Sequence, residues 1–113
     1  MSYGAALALT VAIESPMYAL ALWRFTDCRP ADGALRGLAV NLVSHPLAIA
    51  LTLPALGVLV GYWSAVVAVE VGVCVLEAAL LRISLPEIGF DRLAQISLAC
   101  NVASLSAGLA LLA

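Results

Sequence analysis

The sequence predicts an all-α integral membrane protein, a polytopic antiparallel bundle of four transmembrane helices. Of its 113 residues, 65% are hydrophobic and 11% are charged, whereas charged residues make up about a quarter of a soluble domain. The mean hydropathy is +1.12. At about 20 residues per membrane-spanning helix, a chain of this length holds at most four spans with short turns. A nucleotide-binding or other soluble domain is therefore excluded.

Two charged segments delimit the helices. The first runs from Arg24 to Arg36 and the second from Arg82 to Arg92. Between and beside them lie three apolar stretches, near 3–23, 37–81 and 93–113. The outer two stretches each predict one spanning helix.

The middle apolar stretch is too long for a single crossing. At 1.5 Å per residue it would extend about 68 Å, against a hydrocarbon core of about 30 Å. Helix breakers and interfacial aromatic residues mark the expected turn: Pro54, Gly57, Gly61, Tyr62 and Trp63. The stretch therefore predicts helices near 37–56 and 64–82, which completes one transmembrane domain over residues 1–113.

The arginines predict the orientation. All five basic residues are arginines in the two charged segments, so the positive-inside rule places both segments in the cytoplasm of a multi-pass plasma-membrane protein, with both termini non-cytoplasmic. The net charge is −2 and there is no basic run, which argues against a nucleic-acid partner. The expected partners are the lipid bilayer and either further copies of the chain or a larger membrane complex.

Several polar residues fall within the apolar stretches and form the candidate ion- or substrate-binding site: Glu14, Asn41, His45, Glu70, Glu77 and Asn101. An acidic residue at a helix centre costs about 2.5 to 3.5 kcal/mol on an insertion scale, so these side chains should face the bundle interior, a partner or water. Glu70 and Glu77 are seven residues apart and share one face of their helix. We expect the polar faces of all four helices to converge.

Depth along the bundle supports that convergence. Counted from the predicted cytoplasmic ends, Glu14, His45 and Asn101 lie about 12 to 14 Å deep. Asn41 and Glu77 lie about 6 to 8 Å deep, with Glu70 at about 18 Å toward the midplane.

Prolines follow two of these residues, as Glu14-Ser15-Pro16 and Ser44-His45-Pro46. Each proline removes an amide donor and frees a carbonyl one turn earlier, which a membrane tolerates only where protein, water or an ion satisfies it.

A structural role for the polar residues is the alternative. A single intramembrane Glu or Asn often stabilises helix packing by about 0.6 to 2 kcal/mol, and Asn41 and Asn101 fit that role. Three glutamates with a histidine at similar depth favour a functional site instead. Cys74, between Glu70 and Glu77, is a small core residue or a soft metal ligand.

Two resemblances follow from these residues. The length, the four spans, Glu14 and Trp63 resemble the small multidrug resistance exporters, which implies proton exchange at the glutamate for cationic drugs. The chain reads Ala-Ile-Glu-Ser-Pro around Glu14, unlike that family's Ala-Glu-x-x-Gly/Ala-Ser/Thr, and adds a second and third glutamate.

The pattern Asn-x-x-Ser-His-Pro, Glu-x6-Glu, Asn-x-x-Ser is similar to small prokaryotic four-helix membrane proteins that have no assigned activity. This resemblance covers most of the chain and implies no function.

Three functions remain open. The site could serve proton- or cation-coupled transport or permeation, with a divalent cation as a candidate ligand. It could serve a cofactor-free enzyme in which a buried carboxylic acid acts on a lipid or isoprenoid. The chain could also be an accessory subunit. Transport is favoured, because phosphate-binding loops and HExxH or CxxC motifs are missing from the sequence. Three carboxyl groups in one poorly solvated layer further predict that one holds a proton at pH 7.

Overall fold

A computed structural model describes residues 3–48 and 53–112 as five α-helices. The helices are α1 Tyr3–Phe25, α2 Pro30–Pro46, α3 Leu53–Val60, α4 Tyr62–Ser84 and α5 Phe90–Leu112. Residues 49–52 of the predicted second helix and residue 113 of the last lie outside the described residues. The bundle is 42 Å long, close to the thickness of a bilayer with its headgroups.

Three of these helices are long and apolar enough to cross a membrane: Gly4–Phe25, Tyr62–Ser84 and Phe90–Leu111. The all-α prediction is therefore confirmed, and the three apolar helices support the prediction of a membrane protein. Four spanning helices are not shown, because α2 has 17 residues and α3 has 8.

The charged segments are more helical than the sequence indicated. α2 begins at Pro30 rather than near residue 37, and Asp32 lies in its first turn. Proline suits the first position of a helix because its missing amide hydrogen has no intrahelical partner there, and an acidic side chain complements the helix dipole. α1 and α4 likewise extend two residues beyond their predicted ends, to Phe25 and Ser84. Charge marks where a helix leaves the hydrocarbon, not where its hydrogen bonds end.

The turn predicted between residues 54 and 63 is shorter than the sequence indicates. Pro54 and Gly57 lie inside α3, where proline is tolerated because it occupies the first turn. The chain changes direction at Gly61, whose φ is +87°, a conformation that glycine adopts without steric cost. At the other end of this region α2 ends at Pro46, followed by a π-helical turn at 47–48.

The helices pack with their polar side chains inward. α1 packs against α2 and α5, and α4 packs against α5, α3 and α2. The buried residues include Glu14, His45 and Glu77, while large apolar side chains such as Val58 and Val67 are exposed. Apolar outside and polar inside is the distribution expected where lipid, rather than water, surrounds the bundle.

A Gly-x-x-x-Gly pair brings α2 onto α1. A Cβ atom at Gly33 would lie 2.9 Å from the Ala19 Cα atom, and one at Gly37 would lie 3.0 Å from the Tyr18 ring. Small residues four apart permit this close approach of two membrane helices. The pair was not recognised as a packing motif in the sequence, although its spacing is the usual one.

Two apolar clusters lie on either side of the polar layer along the bundle axis. The larger lies on the side of the 26–29 and 85–89 loops and includes Leu22, Leu81 and Leu93. The smaller cluster consists of Ala48, Val69 and Val73. The polar residues are thus enclosed within the bundle.

Candidate functional site

Three ionisable side chains from three helices meet at the centre of the bundle. Glu14 of α1, His45 of α2 and Glu77 of α4 each offer an oxygen or nitrogen atom, and these atoms lie within 4.8 Å of one another. All three residues are buried, with 0%, 6% and 0% of their surfaces exposed. We refer to Glu14, His45 and Glu77 together as the central triad.

Glu77 is the best-satisfied member of the central triad. Its Oε1 accepts hydrogen bonds from the Tyr18 hydroxyl at 2.6 Å and from Asn101 Nδ2 at 3.0 Å. Its Oε2 accepts one from the Ser44 hydroxyl at 2.6 Å. Three donors from α1, α2 and α5 are the environment of an ionised carboxylate, which accepts hydrogen bonds only. The Glu77 carboxyl group therefore joins α4 to α1, α2 and α5 by hydrogen bonds.

Among the described residues, Glu14 has one hydrogen-bond partner. The Ser104 hydroxyl of α5 donates to Glu14 Oε2, while none of the described residues bonds the buried Oε1 of the same carboxyl group. A buried carboxylate oxygen without a partner is costly, so native structures rarely retain one without a reason.

His45 lies between the two carboxyl groups without bonding to either. Its Nε2 atom is 3.7 Å from Glu14 Oε2 and 3.9 Å from Glu77 Oε2. Both distances exceed the usual range for a hydrogen bond, and Nε2 has no hydrogen-bond partner in the part of the chain that the structure describes. The imidazole therefore presents an unused nitrogen to the space between two carboxyl groups.

Asn101 connects the triad to the α4–α5 contact. Its Nδ2 also contacts the Ser97 carbonyl at 2.8 Å, and the Ser97 hydroxyl donates to the Cys74 carbonyl at 3.0 Å. Because its neighbours on this side are acceptors, the amide must present nitrogen to them. The buried Oδ1 atom has no hydrogen-bond partner.

The other two predicted site residues lie beside the triad. Asn41 is buried, but its Nδ2 bonds the Gly37 carbonyl one turn earlier at 2.8 Å and not a triad residue. Glu70 is partly exposed and lies within electrostatic range of His45, Glu14 and Glu77. Glu70 contributes no atom to the close cluster of Glu14, His45 and Glu77, and the buried Oδ1 atom of Asn41 has no hydrogen-bond partner among the described residues.

Three residues at the site were missing from the predicted set: Tyr18, Ser44 and Ser104. Periodicity contained the information for each of them. Tyr18 and Ser104 follow Glu14 and Asn101 by four and three residues, and Ser44 directly precedes His45. Polar residues spaced three or four apart from an intramembrane acid lie on its helix face and are candidate partners for it.

No family model, curated protein or solved structure matches this chain. The two family resemblances and the binding roles of the six residues predicted from the sequence therefore stay predictions, and the site must be interpreted from its geometry.

Proposed function

We propose that the protein is a small membrane transporter that moves a cation across the bilayer, coupled to protons or a second cation, with the central triad as its binding site. The observation that carries this proposal is the triad itself, in which two carboxyl groups and an imidazole are buried among apolar helices. Each buried acid costs about 2.5 to 3.5 kcal/mol in a membrane. A packing role would require only mutually bonded groups, whereas Glu14 Oε1 and His45 Nε2 are unbonded.

The proposal includes a fourth crossing within residues 30–60, to which α2 and α3 belong. Residues 30–60 are numerous enough to cross a bilayer, and the helical path changes at Pro46, one residue after His45. Transporters commonly place a binding site where a membrane helix is interrupted, because the freed backbone groups can then serve a ligand.

Access to the triad is proposed from the side of the chain termini. The larger apolar cluster covers the triad on the loop side. On the side of the chain ends, the described residues form a smaller buried apolar cluster of Ala48, Val69 and Val73, with Leu56 packed against it. Glu70, two turns before Glu77 on α4, is partly exposed on that side. This carboxyl group would attract a cation toward the triad.

The proposed orientation keeps both loops in the cytoplasm of the plasma membrane and both termini outside. Cys28 in the first loop is half-buried and is a native reporter of this orientation. A membrane-impermeant thiol reagent should label Cys28 in inverted vesicles and not in intact cells. Labelling in intact cells would contradict the orientation.

We further propose that the working unit is a homo-oligomer. So few short helices can hardly enclose a pathway by themselves, and a second copy would supply the remaining wall. Cross-linking in native membranes should give dimers or higher species. Nanodiscs that each hold a single copy of the chain can be fused to vesicles. Transport at the full rate by such single copies would contradict the homo-oligomer.

Reconstituted vesicles test the transport function. Purified protein should accumulate a cation when a proton gradient is imposed, and Glu14→Gln and Glu77→Gln should each reduce the initial rate at least about tenfold, since each removes a charge from the site. Glu87→Gln is the matched control, because it makes the same change in an exposed loop residue. Normal transport by both triad variants, with the helical content unchanged, would refute the proposal.

An enzyme acting on lipids is less well supported by the geometry. The apolar groove between α2 and α4 is lined by Leu35, Arg36, Ala39, Val40, Val43, Leu80, Leu81 and Ser84. None of these residues belongs to the central triad, so an acyl chain in the groove would not contact its carboxyl groups.

A further inference from the structure

We propose that Glu14, His45 and Glu77 bind a divalent first-row transition-metal ion, of the class of Mn²⁺, Fe²⁺, Co²⁺ and Zn²⁺. This inference rests on the proposed transport function in one respect, since it names the class of cation that the site would carry. Whether the site binds a metal ion does not depend on whether the protein transports one.

The spacing of the three side chains fits a metal ion. Ligands about 2.1 Å from a tetrahedral metal lie about 3.4 Å from one another. The His45 nitrogen is 3.7 Å and 3.9 Å from the nearest oxygens of Glu14 and Glu77. Contraction by about half an ångström or less, within ordinary side-chain motion, would bring both pairs to coordination distance.

Each of the three residues has an unused lone pair. Glu14 Oε1 and His45 Nε2 are buried and have no hydrogen-bond partner among the described residues, while Glu14 Oε2, the oxygen that lies 3.7 Å from His45, accepts one hydrogen bond, from Ser104. Glu77 Oε2 accepts one hydrogen bond, from Ser44, which leaves a carboxylate oxygen with further acceptor capacity. A cation at the centre would satisfy these groups together, and it would explain why the fold leaves two of them unpaired.

The charge of the site matches that of a divalent ion. Two carboxylates with a neutral imidazole carry −2, which a divalent cation neutralises completely. In a membrane this balance matters, because an uncompensated buried charge costs several kcal/mol. A monovalent ion would leave the triad charged.

The donor atoms favour a transition metal over other divalent ions. Imidazole suits Fe²⁺, Co²⁺ and Zn²⁺, and the two carboxylates also suit Mn²⁺, whereas Ca²⁺ requires six to eight oxygen ligands and Mg²⁺ prefers an all-oxygen octahedron. Soft ions such as Cu⁺ prefer thiolates. Cys74 and Cys100 are buried nearby but contribute no atom to the close cluster.

A second layer of side chains orients the proposed ligands. Tyr18, Ser44 and Asn101 fix both oxygens of Glu77, and Ser104 fixes Oε2 of Glu14. Metal sites use such outer partners to set the direction of each ligand. Three protein ligands also leave coordination positions for water, as in metal sites that exchange a ligand rather than hold the ion permanently.

Cobalt binding provides the direct test. The protein should be purified without a polyhistidine tag, so that its single histidine is the only imidazole present. Titration with Co²⁺ in detergent should give one ion per chain and the visible ligand-field bands of a nitrogen and oxygen site. Zn²⁺ should displace Co²⁺, and Mg²⁺ or Ca²⁺ at a hundredfold excess should not. Displacement by Mg²⁺ or Ca²⁺ as efficient as by Zn²⁺ would overturn the proposal.

Variants assign the ligands. Glu14→Gln and His45→Gln should each weaken Co²⁺ binding by more than about 100-fold, and Ser104→Ala by about 10-fold to 100-fold because it only orients Glu14. Glu87→Gln should bind as the wild type does. Unchanged affinity in folded Glu14→Gln or His45→Gln protein would overturn the assignment.

A wild-type measurement keeps the test decisive if the variants fail to fold. The imidazole ¹⁵N resonances of His45 should change when Zn²⁺ is added, because Nε2 becomes a metal ligand. Resonances that stay unchanged at saturating Zn²⁺ would overturn the proposal without any substitution.

The same preparation separates this inference from the transport proposal. Co²⁺ binding without uptake of Co²⁺, Mn²⁺ or Zn²⁺ into vesicles would refute transport and leave the metal site intact. Uptake of another cation by protein that binds no transition metal would refute the metal site and leave transport intact.

Discussion

The two halves of the bundle, above and below the central triad, are built differently. In the half that carries the 26–29 and 85–89 loops, which we call the loop half, a Cβ atom at Gly33 would clash with the α1 backbone at Ala19, and one at Gly37 would press against the Tyr18 side chain at 3.0 Å. In the half that carries Gly61 and both chain ends, the terminal half, a Cβ atom on Gly57, Gly72 or Gly108 would meet nothing within 4 Å.

Side-chain contacts follow the same division. Arg92 lies over the Phe25 ring at 5.6 Å in the loop half, and the larger apolar cluster joins α1, α2, α4 and α5 there. In the terminal half, Tyr62 and Trp63 pair with each other and are mostly exposed. Among the described residues, the loop half is therefore the more closely packed of the two, and the transport proposal assigns it the role of the base of the site.

Matched substitutions in the two halves test this difference. The largest expected effect comes from the two glutamates of α4. Glu77→Leu leaves the Tyr18, Ser44 and Asn101 donors without an acceptor, which should lower the free energy of unfolding by about 3 to 5 kcal/mol.

Glu70→Leu, the same change seven residues away, should shift the free energy of unfolding by less than about 0.5 kcal/mol, since Glu70 is partly exposed and accepts no hydrogen bond within the described residues. Unfolding in mixed micelles by sodium dodecyl sulfate, followed by circular dichroism, measures both. Equal losses for the two variants would show that the halves are equally ordered.

Replacing a glycine by alanine should destabilise the protein in the loop half and stabilise it in the terminal half. Gly33→Ala places a methyl group 2.9 Å from the Ala19 Cα atom, and because that neighbour is backbone, the helices must separate at a cost of about 1 to 3 kcal/mol. Gly72→Ala meets open space and should stabilise α4 by about 0.5 to 1 kcal/mol, since alanine loses less backbone entropy in a helix. Thermal unfolding in one detergent compares them. If both substitutions changed the stability in the same direction, the difference in packing between the two halves would be contradicted.

The smallest expected difference between the two halves comes from removing one tyrosine hydroxyl in each. Tyr18→Phe removes the hydrogen bond to Glu77 Oε1 and should cost about 1 kcal/mol. Tyr62→Phe, in the terminal half, changes a side chain that is 61% exposed and should cost no more than about 0.5 kcal/mol. The same micellar unfolding curves resolve the two values. A larger loss for Tyr62→Phe would place an unrecognised contact in the terminal half.

The candidate site was partly accessible from the sequence. Glu14, His45 and Glu77 were identifiable because charge in an apolar stretch is expensive and must face inward. Asn41 was chosen on the same grounds, but its amide bonds its own helix at Gly37. Helical periodicity gives the face on which a side chain lies and not the partner it finds there.

The sequence alone determined that this is a helical membrane protein, because hydropathy and charge act locally along the chain. It also located the apolar helical stretches and the buried triad of Glu14, His45 and Glu77, but not the buried Tyr18, Ser44 and Ser104. The tertiary structure decided where helices begin and end, at Pro30 and Gly61, since those points depend on backbone hydrogen bonds and dihedral angles.

Only the tertiary structure could bring residues 14, 45 and 77 within 4.8 Å. That distance follows from the close approach of α1 and α2 at Gly33 and Gly37 and from the hydrogen bonds of Glu77 to the neighbouring helices. These contacts join residues that are far apart in the chain, and no local pattern encodes their distances.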